Sequence, residues 1–433
     1  MSHPAFEPFA RLKTPSLRRN LWVAILWAVA LRPAVIQAGE IGEAQVIQLA
    51  QEQDLRTLEA IQSIALAEAE GVQAKLRPNP SIGWEREHFP ALGSNGEGED
   101  ALTLRIPFDL SPRRTVRRHL AAAHVSIATA QAARTRSQAV VHAMTLFYQT
   151  LAEQHRVTLE QHALDQLRDA ARVVTRRREA GAVSGYDQIR IEIEMELAAS
   201  ALRQTSDRAQ RLHSELARSL GKGPDQVSFV GGLGPDARTE TRTKADLGGD
   251  PRTHRPDRDP ARASLRLQRD AQKQTRRASE AAARSWIPGF ALSAGPRMAR
   301  GDETRFGYVA GLAVNLPVFS RGQALRAQAR AEQRVAQARA DATQRTIAIE
   351  RGRARSRLQS FRSEARHLDD AMLDRLDRLE KAAESGYREG ARSIVELLDT
   401  RRLRTKVQTR RLELALSIKR AELALRAARG EFE

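Results

Sequence analysis

The sequence contains no cysteine, few aromatic residues and no apolar run long enough to span a bilayer as a helix. Without cysteine, no disulfide and no lipidated N-terminal cysteine can hold the fold or attach the chain to a membrane. The apolar run from Leu21 to Leu31 has about eleven residues, whereas a helical span needs about 20. Aromatic residues make up 4% of the 433 residues while hydrophobic residues make up 41%. This balance favours long helices that pack through small side chains over a compact enzyme.

Motifs of the common enzyme classes are also absent from the sequence. There is no Gly-rich phosphate loop, no HExxH and no GxSxG. The histidines at positions 88, 119, 124, 142, 155 and 162 do not form a recognisable ligand set, and we interpret His88 with Glu85 and Glu87 as a polar loop. We therefore expect no enzymatic activity, no cofactor and no metal site.

Residues 1–38 have the pattern of a targeting segment. Basic residues precede the apolar run, and the small residue Ala38 follows it. This pattern predicts a signal peptide cleaved near Ala38, with a retained anchor as the alternative. The formal net charge of +18 would suggest nucleic acid or an anionic membrane surface as partner. Because an exported chain rarely meets DNA, we predict no nucleic-acid binding.

The rest of the chain repeats itself at an interval close to 209 residues. The recurring pairs are Pro80 and Pro288 (208 apart), Pro107 and Pro317 (210), Gly181 and Gly390 (209), and Gly221 and Gly430 (209). An interval this constant indicates a duplication. It predicts a first repeat at 39–221, a linker at 222–261 that is rich in Gly, Pro, Asp and Arg, and a second repeat at 262–433.

Each repeat shows the same order of helical and extended patterns. A first helix (Ile41–Leu76; Arg262–Arg284) leads through a Pro-marked break and a short extended segment to a turn at Gly93–Gly98 or near Gly301. A strand with strict alternation follows in each repeat. One face of the strand carries Leu102, Leu104, Ile106 and Phe108 in the first repeat, and Tyr308, Ala310, Leu312, Val314 and Leu316 in the second. Since proline cannot donate to a central ladder, each strand is expected to end at Pro107 or Pro317 or to reach a sheet edge. Long helices then run out and back: Arg113–Glu179 with Tyr186–Leu220, and Arg321–Glu389 with Ile394–Arg429.

Two short motifs mark the points where the long helices turn back. Gly181 and Gly390 suit the left-handed conformation that ends a helix, and Ser184 and Ser393 suit the cap of the next helix. Asp187 and Glu396 lie three residues after these serines, which is the capping-box position. Capping could therefore be their only role. Asp399 lies beyond capping range on the face of Glu396, where it is either functional or an ordinary solvated acid.

The chain resembles the TolC family of outer-membrane factors over essentially its whole mature length. The strings that carry the resemblance are Leu76-Arg77-Pro78-Asn79-Pro80, Gly181-Ala182-Val183-Ser184, and residues 387–399, where Gly-x-x-Ser precedes Glu-Leu-Leu-Asp. The implied fold is mainly α with β: two repeats per protomer and four strands each, so that three protomers close a twelve-stranded outer-membrane β-barrel. A long periplasmic α-helical coiled-coil barrel continues from it. Closure by trimerisation would satisfy the open sheet edges in lipid.

The resemblance also implies roles for residues at the periplasmic tip. Glu396 and Asp399 match the acidic rings that gate the pore, and Asp187, Tyr387 and Arg392 match residues that link the closed state. A glutamate stands at the first ring position where aspartate is familiar. Gly185 and Tyr186 directly precede Asp187, which puts the local partner of Arg392 in doubt.

The implied function is the passive exit duct of a tripartite efflux pump. The implied partners are two further copies of the chain, outer-membrane lipid, a periplasmic adaptor (membrane fusion protein) and an inner-membrane pump of the resistance-nodulation-division type. The stretch Glu85-Arg86-Glu87-His88 and the Asn-Pro before the first strand suggest the heavy-metal branch, hence export of metal cations or other small toxic solutes. Two alternatives remain open: a duct for type I protein or peptide secretion, and a soluble coiled-coil scaffold.

Overall fold

The computed structural model of the chain describes residues 39–89, 97–234, 262–300, 303–368 and 370–433. The predicted signal segment 1–38, most of the turn at Gly93–Gly98, Gly301 and residues 235–261 of the predicted linker lie outside the described residues. Within these ranges, none of the helices is both long and apolar enough to cross a lipid bilayer.

Helices make up most of the described structure. They are α1 Glu43–Gln53, α2 Leu55–Lys75, α3 Arg113–Glu179, α4 Gly185–Ser219, α5 Ala263–Ala282, α6 Gln323–His367, α7 Asp370–Glu389 and α8 Ile394–Ala428. The strands are β1 Gly39–Ile41, β2 Ser81–Phe89, β3 Glu97–Phe108, β4 Val227–Phe229, β5 Phe290–Arg300 and β6 Thr304–Val314. Helix α3 has 67 residues, which corresponds to a rod of about 100 Å.

Two of the predicted helices are broken in the structure. The predicted helix Ile41–Leu76 is interrupted at Asp54, whose carboxylate accepts from the amides of Arg56 at 2.9 Å and Thr57 at 3.3 Å. Asp54 therefore caps a new helix, α2, where an uninterrupted helix was expected. The predicted tract Arg321–Glu389 is likewise two helices, because α6 ends at His367 and α7 begins at Asp370. The tract Arg113–Glu179 is one helix, as predicted.

The two predicted strands and the two extended segments form one antiparallel sheet in the order β2-β3-β5-β6. The register places Trp84 opposite Leu102, and Leu292 opposite both Ile106 and Leu312, so the large apolar side chains share one face. That face is exposed in the single chain: Phe306 and Tyr308 are 83% and 86% accessible. The other face carries small and polar residues such as Thr103, Gly295 and Ala313. One largely apolar face and two open edge strands, β2 and β6, mean that the sheet is not complete in one chain.

Pro107 lies within β3 and not at its end. It pairs with Ala291 of β5, whereas the pairing between β2 and β3 begins only at Ser81 and Arg105. The β2 side of Pro107 is therefore a local edge, which is the position that proline tolerates. The expectation that the strand meets a sheet edge at this proline is confirmed.

The first residues of the described chain pair with the segment that follows the first repeat. Strand β1 runs parallel to β4, from Gly39 beside Val227 to Ile41 beside Phe229. Strand β4 falls in the region predicted as linker, so part of that region is ordered against the helices. Ile41 and Phe229 join the largest buried cluster, with Phe147, Leu216 and Leu423 of the long helices.

The long helices pack side by side through small residues and a few large ones. Helix α3 contacts α2, α4, α5 and α8, and α6 contacts α5 and α8. Near the sheet, Val116 and Leu120 pack against Ala278, Ala282 and Ala329. At the opposite end, a cluster of apolar residues joins α3, α4, α7 and α8. This second cluster supports the turns that join α3 to α4 and α7 to α8.

Candidate functional site: the two helical hairpin tips

Both long hairpins turn by the same backbone motif at the end of the helices remote from the sheet. Gly181 and Gly390 have φ of 70° and 82°, which is the left-handed region where a side chain is strained. After α3, the amides of Gly181 and Ala182 donate to the carbonyls of Arg178 and Arg177 at 2.9 and 2.8 Å. After α7, Gly390 and Ala391 make the equivalent bonds at 3.2 and 2.8 Å. This hydrogen-bond pair is the Schellman termination, and it sets both turn points.

The two predicted serine caps differ in the structure. The Ser393 hydroxyl accepts from the Glu396 amide at 3.3 Å and so caps α8. Ser184 occupies the same position before α4, but its side chain makes no capping hydrogen bond, and the predicted cap is not formed. Contacts from other helices hold the first turn of α4 instead: Arg178 donates to Gln188, and Asp187 faces Tyr387.

Tyr387 and Asp187 join the two tips. The Tyr387 hydroxyl lies 3.4 Å from Asp187 Oδ2, which is long for a bond between a hydroxyl and a carboxylate and therefore weak. The ring of Tyr387 is 2% exposed and packs within the apolar cluster at the tip. Burial first, and then the charge of Asp187, raise the pKa of Tyr387 to about 12. The hydroxyl therefore stays protonated, and able to donate, throughout the neutral range.

Arg392 does not reach Asp187 in this structure. Its guanidinium lies 3.3 Å from the carboxylate of Glu396, one turn along its own hairpin. The same contact occupies the Glu396 carboxylate, so the reciprocal bond of a full capping box is not seen at α8. Of the three predicted closed-state residues, the structure brings together Tyr387 and Asp187, and pairs Arg392 with a residue of the predicted acidic ring.

Arg177 is a tip residue that the sequence analysis missed. Its guanidinium donates to the carbonyl oxygen of Tyr387, and its Cζ lies 4.9 Å from the centre of the Tyr387 ring. A cation over an aromatic face is attracted to it, so Arg177 holds α3 against the second hairpin. The available signal was the run of arginines at positions 176–178, which is also what the dipole at the C-terminal end of any helix favours.

Glu396 and Asp399 project from α8 and are more than half exposed. Asp399 Oδ1 lies 3.4 Å from Nη1 of Arg402. Arg402 also pairs with Glu194 of α4. Each predicted ring carboxylate therefore has an arginine beside it, which lowers its net negative potential in the single chain. Arg402 further connects α8 to α4, a role that the sequence did not reveal.

Two arginines of α8 tie the second hairpin together behind the tip. Arg401 is 8% exposed, donates to the carbonyl of Gln166 in α3 and lies 4.0 Å from Glu380 of α7. Burial lowers the pKa of Arg401, while Glu380 acts in the opposite direction. Arg404 pairs with Asp377 at 3.0 Å and with Glu380. These contacts hold α3, α7 and α8 as one body beneath the turn.

No group of three or more His, Cys, Asp or Glu side chains in the described ranges is arranged to hold a metal ion. Glu85, Glu87 and His88, interpreted from the sequence as a polar loop, instead lie in strand β2. Successive side chains of a strand point to opposite faces, so His88 lies on the face opposite to the two glutamates. This alternation separates the three side chains.

Comparison with known proteins supports a channel fold. Residues 258–431 match the family model described as outer membrane efflux protein. The outer-membrane channel OprN superposes with a TM-score of 0.69 and 15% identity, covering 90% of this chain and 89% of that one. The outer membrane protein VceC from Vibrio cholerae superposes with a TM-score of 0.68 and 16% identity, covering 90% of this chain and 96% of that one. The CmeC outer membrane channel of Campylobacter jejuni superposes with a TM-score of 0.66 and 14% identity, covering 90% of this chain and 85% of that one. A comparison with curated protein sequences gave no match.

Proposed function

We propose that the chain is an outer-membrane factor of the TolC family, since residues 258–431 match the model described as outer membrane efflux protein, and that it is the passive exit duct of a tripartite efflux pump, gated at its periplasmic tip. The observation that carries the gating proposal is the contact between Tyr387 and Asp187. It joins two independent hairpins at the end of the helices farthest from the sheet. A weak, polar contact at that place suits a gate that must open without unfolding.

The sheet supports the membrane end of this proposal. Its apolar face suits lipid, and its small and polar face suits a water-filled lumen. Because β2 and β6 are open edges, three copies would supply each other's missing partners and close twelve strands. A bilayer allows only closed barrels of strands, since an unpaired edge leaves backbone groups unsatisfied in lipid.

The tip supports gating and cation preference. Three copies of Glu396 and Asp399 around an axis would concentrate negative potential and attract cations, while Arg392 and Arg402 reduce it. We infer that metal cations or other small toxic solutes are the cargo. The pump and adaptor would select among them, and a duct need not bind its cargo tightly. The partners of this proposal are a periplasmic adaptor and an inner-membrane pump of the resistance-nodulation-division type.

Single-channel conductance of the purified protein in planar bilayers tests this function. We expect stable, cation-selective steps that millimolar divalent cations reduce. The duct would be supported by protein that needs detergent to form a trimer, inserts into the bilayer and conducts ions. Protein that stays monomeric and soluble without detergent would contradict it and support a coiled-coil scaffold.

The ring assignment has its own test in the same apparatus. Asp399→Ala removes three carboxylates from the proposed constriction, so conductance should rise and block by divalent cations should weaken. Asp374→Ala, an acid on α7 away from the tip turns, is the control. Unchanged conductance and unchanged block in Asp399→Ala would reject the ring while leaving the duct intact.

A further inference from the structure

The helix side of the sheet carries an unusual concentration of positive charge. We define the junction collar as residues 75–80, 109–118, 281–289 and 315–330, the four segments between the sheet and the helices. These segments contain ten lysines and arginines and one acid, Asp109. The carboxylate of Asp109 accepts from the amide and the hydroxyl of Ser111 at 2.9 and 2.5 Å.

The arginines of the junction collar have no acidic partners in the described part of the chain. Arg113, Arg117, Arg118, Arg284, Arg321 and Arg330 are all exposed. Within the described ranges none of the six makes a salt bridge, although elsewhere in the molecule arginines pair with carboxylates repeatedly. Arg114 and Arg326 donate to backbone carbonyls inside the collar. The collar therefore presents uncompensated positive charge.

The end of the sheet remote from the helices has a different balance of charged residues. Residues 85–88, 97–100, 297–300 and 303–305 contain six acids and four arginines. Arg86 and Arg300 lie 3.6 and 3.5 Å from the Asp100 carboxylate, and Arg297 pairs with Glu99. Charge at this end is mixed and paired, so the excess of positive charge belongs specifically to the helix side.

Along the chain, large apolar side chains lie between the collar arginines and the strands. Phe319 is 92% exposed and Trp286 is 58% exposed, and Leu110, Leu316 and Val318 are also accessible. Aromatic residues at the limit of an apolar band, followed by basic residues, are what a membrane-water boundary selects. Long arginine side chains can lie along apolar surface while their charged ends reach phosphate groups.

We propose that the junction collar binds the anionic phospholipid headgroups of the membrane leaflet on the helix side of the sheet. The partner is a lipid surface whose phosphates pair with the collar arginines, while Trp286 and Phe319 lie at the level of the glycerol groups. The proposal accounts for part of the +18 net charge, which the duct function alone leaves unexplained. It rests on the membrane placement of the sheet in the proposed function.

The test uses full-length protein reconstituted into vesicles of phosphatidylcholine with and without phosphatidylglycerol. After detergent extraction, native mass spectrometry counts the lipids retained by each protein. We expect phosphatidylglycerol to be enriched about threefold or more over its share in the vesicle, and the enrichment to fall as ionic strength rises. In the combined variant R117Q, R118Q, R321Q and R330Q it should fall by at least about half.

A matched control removes the same charge elsewhere. R203Q, R211Q, R353Q and R357Q change exposed arginines of α4 and α6 that have no acidic partner in the described ranges. This variant should retain the wild-type enrichment. Equal loss in both variants, or no enrichment in the wild type, would overturn the proposal. Wild-type protein that inserts into neither vesicle would instead contradict the membrane placement itself.

A second measurement does not depend on how well the collar variant folds. In a W84F protein, Trp286 is the tryptophan that remains in residues 39–433. Brominated phosphatidylglycerol should quench its fluorescence more strongly than brominated phosphatidylcholine, and iodide in solution should quench it weakly. Strong iodide quenching with no quenching by either brominated lipid would place Trp286 away from lipid and reject headgroup binding by the junction collar.

Discussion

At the scale of single residues, Tyr387 combines a buried ring with one weak polar contact. The ring belongs to the apolar cluster of the tip, whereas its hydroxyl faces Asp187 at 3.4 Å. Burial of an aromatic ring stabilises by hydrophobic transfer and does not depend on the hydroxyl. The two functions, packing and linking, can therefore be separated by one substitution.

Tyr387→Phe should loosen the tip without unfolding the chain. Removing the hydroxyl deletes a contact worth about 0.5 to 1.5 kcal/mol per protomer and keeps the ring in place. We expect open-channel events to become several-fold more frequent in planar bilayers, with the melting temperature lowered by no more than about 2 to 4 °C. The control is Tyr186→Phe, because Tyr186 lies at the same tip but its hydroxyl accepts from Arg190 of the same helix. Equal effects of both substitutions would show that the Asp187 contact is not a link.

The raised pKa of Tyr387 also predicts where alkaline pH acts. Its folded pKa of about 12 lies above the ordinary value of 10.0, so the fold favours the neutral hydroxyl. This contribution to stability is complete below pH 10 and is lost as the pH rises toward about 12. The link should accordingly be insensitive to pH across the neutral range.

At the scale of elements, Arg402 connects two hairpins that the chain does not connect locally. It pairs with Glu194 of α4 and with Asp399 of its own helix. The Glu194 side chain is 15% exposed, so its contact is less screened by water than an open surface pair. The pair therefore couples the position of α4 to that of α8.

A double-mutant cycle measures this coupling. Arg402→Gln and Glu194→Gln should each raise channel opening, and the double variant should add little to either, because both remove the same contact. The exchanged pair, Arg402→Glu with Glu194→Arg, should restore part of the closed state. Additive effects of the two single changes would mean that the residues act independently, and would remove Arg402 from the proposed gate.

The sheet depends on one glycine at its centre. A Cβ at Gly295 of β5 would overlap the carbonyl oxygen of Leu102 and crowd Thr103 of β3. In the same sheet, Gly307 of β6 has no atom within 4 Å of such a Cβ. The backbones of β3 and β5 therefore approach so closely at this point that only glycine fits.

Gly295→Ala should separate β3 from β5 and destabilise the sheet by at least about 1 to 3 kcal/mol, the range of strain from overpacking. Thermal unfolding of the detergent-purified protein is the measurement, together with the yield of assembled trimer. Gly307→Ala is the matched control and should change neither. If both variants assemble and melt like the wild type, the sheet relaxes around the new methyl group and the close approach is not required.

The sequence predicted the elements better than their side-chain contacts. Helical periodicity located α3 to the residue, and the fixed interval between prolines and glycines predicted two matching hairpins. Helical periodicity missed the break at Asp54, since an aspartate within a helical pattern is ambiguous until its capping hydrogen bonds are seen. Contacts such as Arg177 with Tyr387 join residues 210 positions apart, and no local pattern encodes them.

At the scale of the whole molecule, the open edges β2 and β6 require a partner that the single chain lacks. These edge strands are separated by β3 and β5, which puts them about 14 Å apart at about 4.8 Å per strand spacing. Strands β2 and β6 run antiparallel to each other, so β6 of one copy could continue the antiparallel pattern onto β2 of the next. Closure after three copies would leave no edge exposed to lipid.

Because the chain has no cysteine, introduced cysteines can report this closure directly. Glu85→Cys on β2 would be combined in turn with Gly307→Cys, Val309→Cys or Ala313→Cys on β6, all on the small and polar face. At least one pair should form a disulfide between copies and give a covalent trimer on denaturing electrophoresis. A disulfide within one copy is excluded, since it needs Cβ atoms about 4 Å apart. Pairs of Glu85→Cys with Ala310→Cys or Leu312→Cys lie on opposite faces and should not cross-link. Dimers without trimers, or equal cross-linking from both faces, would contradict a closed sheet of three copies.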